Sequence, residues 1–343
     1  MKTLITKRIV CSIAILLAVG LPQVTLAEPK GEKEDFVIFG DSLSDTGNRF
    51  YDTGSMNTPP YEFAASENLI PSLAYAIGGP TYTNGKVWVE HLVRSLGVPG
   101  AAQAALRSDG TAANYAYAGA RASNAAPLPP NSNRNLGDQV DLYIADVGAG
   151  SIAEETVHVI FIGGNDIAGA LVLLSLGANP TPVIMNAVAS VADNAMKLAS
   201  AGAHRFLIVT APNPGLIPAF GGSAGAIFGG AYLTTAFNCA IAGTGPTRPS
   251  CPAQLNGPAT VADALTSYFG AEVTVFDSQA LFDDISTNPG FYGLTNTNQP
   301  CVQPLQAPFR CENPAEYLYW DNIHPTATVH RILGNAVVEA WTN

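Results

Sequence analysis

The sequence predicts an α/β protein with a mostly parallel central sheet of about five strands. Three observations carry that prediction. Short strand-like runs recur at Phe36–Phe39, Ala113–Ala118, Val157–Ile162, Arg205–Thr210 and Glu272–Phe276. Helical stretches with one apolar face alternate with them, which implies a sheet covered on both faces. No internal repeat and no linker separates two folding units, so 343 residues with 47% hydrophobic content read as one elaborated domain, 28–343.

In chain order, residues 1–27 read as a signal peptide. Lys2, Lys7 and Arg8 form its charged region, Ile9–Leu21 its apolar segment, and Thr25-Leu26-Ala27 a cleavage site. Cleavage there removes Cys11 and takes the net charge from −11 to −14. The expectation is a secreted or periplasmic protein with no later segment apolar for long enough to span a membrane.

Phe36–Phe39 is apolar throughout, as in a fully buried strand, and ends at Gly40-Asp41-Ser42. Phe50–Tyr82 is long and irregular; Tyr51, Tyr61, Phe63, Tyr75 and Tyr82 serve either a substrate entrance or loop packing. Asn84-Gly85 reads as a turn before a helix over Val87–Leu96, with pocket lining, and so substrate contact, as its second role. Ser123–Gly137 is a Pro- and Asn-rich loop, and Asp138–Val147, Ala168–Leu176 and Pro182–Ala201 are helical. Phe220–Tyr232 is Gly- and Ala-rich, as in a surface loop or a mobile flap beside an apolar substrate. Thr326–Trp341 is a closing helix.

Cys239, Cys251, Cys301 and Cys311 make an even set in an exported chain, which suggests disulfides. Of the three connectivities, Cys239–Cys251 and Cys301–Cys311 join the nearest partners, each worth about 3 kcal/mol at best. Neither pair has zinc spacing. No calcium-loop run of carboxylates is present either.

The chemistry concentrates at strand ends. Ser42 follows a buried strand, where ligands bind in open α/β sheets; capping a helix is the plainer reading of Asp41-Ser42. Near the far end, Asp321 precedes His324 by three residues, close enough for a hydrogen bond. A serine needs a base, and the base needs a group that holds its tautomer. Ser42, His324 and Asp321 can fill those places, although His324 alone would read as a surface histidine. Asn165 sits in Gly163-Gly164-Asn165-Asp166, after the run ending at Ile162, and Gly119 follows Ala118.

These four blocks, in this order, resemble the GDSL or SGNH hydrolase family, and the resemblance runs from Phe36 to the C-terminal helix. The fuller forms Gly-Asp-Ser-Leu-Ser-Asp-Thr-Gly-Asn and Trp-Asp-Asn-Ile-His-Pro-Thr look most like its secreted bacterial lipase, phospholipase and acyltransferase branch and the plant esterases. The resemblance implies a three-layer α/β/α, flavodoxin-like SGNH-hydrolase fold. It also implies an oxyanion hole from the Ser42 and Gly119 backbone N–H groups and the Asn165 side chain, with no metal and no cofactor. Asp41, Asp45, Asn48 and Asp166 read as structural support, Asp45 and Asn48 bonding the turn after Ser42.

The function so implied is a secreted serine ester hydrolase (lipase, esterase or phospholipase) acting through an acyl-enzyme on an ester, with lipid or phospholipid as the substrate class. Alternatives are a carbohydrate O-acetyl esterase, a lipid acyltransferase, and a non-catalytic binding module. The acidic composition offers no attraction to nucleic acid or anionic lipid.

Overall fold

The computed structural model describes residues 35–53, 80–107, 113–131, 133–148, 150–245, 248–251, 260–302 and 310–343, all within one compact unit, Lys33–Asn343. The expected signal peptide, and Tyr61, Phe63 and Tyr75, lie outside the described residues.

Strand β1 (Phe36–Gly40) is buried along its whole length. It pairs in parallel with β2 (Val157–Phe161), Phe36 opposite Val157. β2 pairs in parallel with β3 (Arg205–Val209), and β3 with β4 (Glu272–Phe276). The sheet order is therefore β1-β2-β3-β4. Apart from His158 in β2 and Arg205 at the start of β3, the inner strands are apolar without alternation because both of their faces are covered.

The run expected as a strand at 113–118 is an extended segment outside β1, with parallel bridges at Asn114 to Ile38 on one side and to Ala104 on the other. Its inward groups follow the ladder: Tyr115 N donates to Ile38 O at 2.7 Å and Tyr117 N to Gly40 O at 3.1 Å. On its outward side Asn114 N donates to Gln103 O at 3.1 Å and Asn114 O accepts from Ala105 N at 2.8 Å, and side chains take the groups further along. Asn48 Nδ2 donates to Asn114 O and Ala116 O, both at 2.8 Å, and Asp45 Oδ2 accepts from Ala118 N at 2.8 Å. With this segment counted, the strand order is the flavodoxin-like 2-1-3-4-5, and the order reverses beside β1.

Helices cover both faces. Phe36 and Ile38 face a core built with α2 (Trp88–Ser95), α8 (Ser278–Thr287) and α9 (Ala327–Thr342). Val37 and Phe39 face the other core, with α3 (Leu136–Val147), α4 (Gly164–Ser175), α5 (Thr181–Ser200), α6 (Ala224–Ala242) and α7 (Val261–Phe269). A short helix, α1 (Asn48–Thr53), follows the Ser42 turn.

The Gly-rich segment differs from expectation: residues 224–232 form the first half of α6, a 19-residue helix capped by Ser223 Oγ on Ala226 N. Its glycines permit close packing. A Cβ on Gly230 would lie 2.2 Å from Asn213 Oδ1 and 2.7 Å from Gly215 N, and one on Gly229 would press on Leu171 and Leu174 at 3.1 Å. Against the expectation of no later span, α6 is long and apolar enough to cross a membrane, and half of that stretch is buried in the protein.

Cys239 is bonded to Cys251 and Cys301 to Cys311. The second bond sits between β5 (Asn296–Pro300) and β6 (Tyr317–Tyr319), a parallel pair that leads into Trp320-Asp321.

Candidate functional site

Gly40 ends β1 because no other residue fits: a Cβ there would lie 2.6 Å from Phe161 O. Gln139 of α3 clamps the same residue, accepting from Gly40 N at 2.9 Å and donating to Gly40 O at 2.8 Å. The next turn presents Ser42 at the carboxyl end of the strand. Asp45 ties that turn down through Gly47 N, Asn48 N, Arg49 N and Ala118 N, at 2.6–3.2 Å. Burial outweighs these four donors and pushes the Asp45 carboxyl up to about 6.

His324 reaches this turn from 282 residues away, its Nε2 2.8 Å from Ser42 Oγ. Its Nδ1 lies 2.7 Å from Asp321 Oδ2. Asp321 Oδ1 accepts the backbone N–H of Ile323 at 2.7 Å and of His324 at 2.6 Å. The loop is a tight reversal, closed by Trp320 N on His324 O at 2.7 Å and Thr326 N on Leu318 O at 2.9 Å. Thr83 Oγ1 holds Pro325 O at 2.8 Å, and the Tyr82 ring packs 5.4 Å from the imidazole. Ser42, Asp321 and His324 are all buried. With Nδ1–H donated to the carboxylate, Nε2 is left to accept a hydroxyl proton.

Ser42 and His324 open on an apolar cavity of about 210 Å³, with Asp321 behind the imidazole. Its walls include Leu43, Ala168, Leu216, Ile217, Phe220 and Phe282, with Asn165 and Asp41 as polar members. Asp41 Oδ1 accepts from Leu43 N at 3.0 Å, and burial pushes the carboxyl up to about 6. Asn165 stands in the first turn of α4 and spends one amide hydrogen on Ala120 O at 2.8 Å. No described acceptor takes the N–H of Ser42 or Gly119. Asp166 accepts from Ala122 N and Ser123 N at 2.8 and 3.2 Å, and burial pushes it up to about 7.

Gly119 is not among the residues lining the cavity. Its backbone is left-handed at φ +77°, and a Cβ would point at Asn133 Nδ2 and Arg49 Nη1, 2.5 and 2.9 Å away. Glycine is therefore demanded there by backbone conformation and by these two side chains. Asn84 and Gly85, read first as structural and second as pocket lining, are not among the residues lining this cavity. Asn84 Oδ1 accepts from Ala327 N at 2.7 Å, at the start of α9, and a Cβ on Gly85 would meet Ala327 Cβ at 2.9 Å. Both hold the helix that follows His324.

Gln139, Thr83 and the walls at Leu216, Ile217 and Phe282 escaped sequence reading, whereas Phe220 opens the segment read as a loop or a flap beside an apolar substrate. Gln139 carried the one available signal, a polar residue on the buried face of an amphipathic helix. Among the described residues no cluster of His, Cys, Asp and Glu could hold a metal ion.

The family described as GDSL-like Lipase/Acylhydrolase matches residues 36–337. A thermolabile hemolysin of Vibrio parahaemolyticus is 22% identical over 90% of this chain, which spans 63% of the hemolysin's length. Two GDSL esterase/lipases of Arabidopsis thaliana are 24% and 25% identical over 87% and 96% of the chain and over 86% and 93% of their own lengths.

Proposed function

The chain belongs to the GDSL-like lipase/acylhydrolase family, and we propose that it is an exported carboxylic ester hydrolase acting on lipid or phospholipid esters. The observation that supports this most directly is the Ser42–His324–Asp321 hydrogen-bonded chain opening on an apolar cavity. Two disulfides fit an exported protein. A cleaved leader at residues 1–27 would supply the route.

In this reading Ser42 Oγ attacks the ester carbonyl while His324 Nε2 takes its proton. Asp321 holds the imidazole and stabilises its charged form. His324 then gives the proton to the leaving alcohol, and a water, activated in the same way, frees the acid from Ser42. The Ser42 and Gly119 N–H groups and the second Asn165 amide hydrogen are the donors for the oxyanion. The apolar walls favour an acyl chain over the polar face of a sugar, which weighs against the deacetylase alternative.

The test is hydrolysis of p-nitrophenyl esters, acetyl through long acyl, by wild type and Ser42→Ala. Loss of hydrolysis with Ser42→Ala and better turnover of longer acyl chains are expected. A folded wild type inactive on every ester, or Ser42→Ala at full rate, would sink the proposal.

A further inference from the structure

Two stretches of this acidic chain carry no Asp, Glu, Lys, Arg or His, Ile167–Ala192 and Phe206–Thr247. Both border the cavity. The first contains most of α4, whose Ala168 lines the cavity wall. Val172 and Leu176 continue the same helical stripe at successive i,i+4 steps, and they are 45% and 76% exposed. The second contains Leu216 and Phe220 of the wall and then α6, where Phe228 and Tyr232 make another i,i+4 pair, 78% and 62% exposed.

The two helices pack together, Gly229 of α6 lying against Leu171 and Leu174 of α4, and Leu174 is itself 39% exposed. The large apolar side chains are thus not scattered. They extend outward from the wall of the cavity, on the part of the chain that has no charge. Isolated exposed apolar residues are ordinary, but a joined group beside a binding cavity is not.

We propose that this α4–α6 face seats the protein on an uncharged or zwitterionic lipid surface and presents the cavity to it. The choice of occupant rests on the ester-hydrolase reading above. Charge selects the kind of lipid: the face offers no Lys or Arg to an anionic headgroup, and the net charge of −11 repels one. Apolar insertion is then the driving term, so attachment should be nearly independent of salt.

The experiment uses the Ser42→Ala full-length protein, so that vesicles are not consumed. Flotation with phosphatidylcholine and phosphatidylglycerol vesicles is compared with the same protein carrying Leu176→Ser, Phe228→Ser and Tyr232→Ser. None of the three residues lines the cavity or touches Ser42, His324 or Asp321. Binding to phosphatidylcholine that persists at high salt is expected, and the three substitutions should weaken it roughly tenfold or more. With Ser42 restored, the triple variant should hydrolyse a soluble short-chain ester at the wild-type rate. If the triple variant does not fold, Leu176→Ser alone, at the end of α4, is expected to weaken binding several-fold.

Equal vesicle binding by the folded variant would overturn the proposal. So would binding confined to phosphatidylglycerol and lost in salt, or no binding at all. A dimer that dissociates on substitution would show that a second copy covers the face, which also overturns it. Vesicle binding by a wild type inert on every soluble ester would sink the hydrolase reading and leave the surface standing.

Discussion

Asp321→Asn is the sharpest probe of the proposed chemistry, because the structure dictates which way the amide must turn. Asp321 Oδ1 accepts two backbone N–H groups, of Ile323 and His324, at 2.7 and 2.6 Å. An asparagine here must place its carbonyl oxygen toward those donors, or leave both buried and unpaired at about 1–3 kcal/mol each. Its NH2 then faces His324 Nδ1, now 2.7 Å from a donor in place of an acceptor. The imidazole answers by carrying its proton on Nε2, which points at Ser42 Oγ. A protonated Nε2 cannot take the serine proton. The wrong tautomer costs about 10⁴ in rate, or about 5.5 kcal/mol. The loop bonds survive, so thermal unfolding should stay close to wild type. The assay is kcat/KM on a soluble p-nitrophenyl ester, with circular dichroism on the same samples. A folded Asp321→Asn protein keeping more than about a tenth of wild-type kcat/KM would refute the reasoning.

Two further predictions concern the oxyanion donor and acid stability. Asn165→Ala removes the amide hydrogen proposed for the oxyanion, lowering kcat roughly 10²–10³-fold on the same ester, while loss of the Ala120 bond costs only about 1 kcal/mol of stability; a near-wild-type rate would remove Asn165 from the site. His330 is buried in α9 and accepts from Trp88 N at 3.3 Å, and burial pulls its imidazole down to about 3. The unfolded chain binds that proton from pH 6.5 downward while the fold resists it, so stability is lost as pH falls from 6.5 toward 3. Asp41, Asp45 and Asp166, pushed up to about 6, 6 and 7, act in the opposite sense, since the fold holds their protons at a pH where the unfolded chain has released them. The readout is therefore a difference. Between pH 6.5 and 4, His330→Asn should lose about 3 kcal/mol less than wild type in urea unfolding, and parallel curves would disprove it.

Much of the architecture could be read locally. β4 has the expected bounds, β2 and β3 end one residue earlier than expected, and α2 begins one residue later. Each announces itself by a run of one periodicity closed by Gly or a small polar residue. The segment at 113–118 was legible as extended chain but not as an edge whose outward groups are shared among the Gln103–Ala105 backbone, Asn48 and Asp45. Hydropathy cannot show which groups a side chain from another loop will occupy. The glycines of 220–232 misled for a related reason. In isolation, glycine signifies freedom. At Gly229 and Gly230 it signifies that α4 and the turn at Pro214–Leu216 lie within contact distance.

By itself, then, the sequence determined the α/β class, the places where strands end, the four motif blocks and an even set of cysteines whose nearest partners were the preferred pairs. All of these are encoded in residues a few positions apart. The tertiary structure alone decided that Ser42 and His324 meet at 2.8 Å, that Asn84 caps the start of α9 at Ala327 N, and that Gln139 clamps Gly40. It also decided that an uncharged, apolar face lies beside the cavity. These relations join residues tens to hundreds of positions apart. Their distances are set by how the helices pack across a twisted sheet, which no local pattern carries.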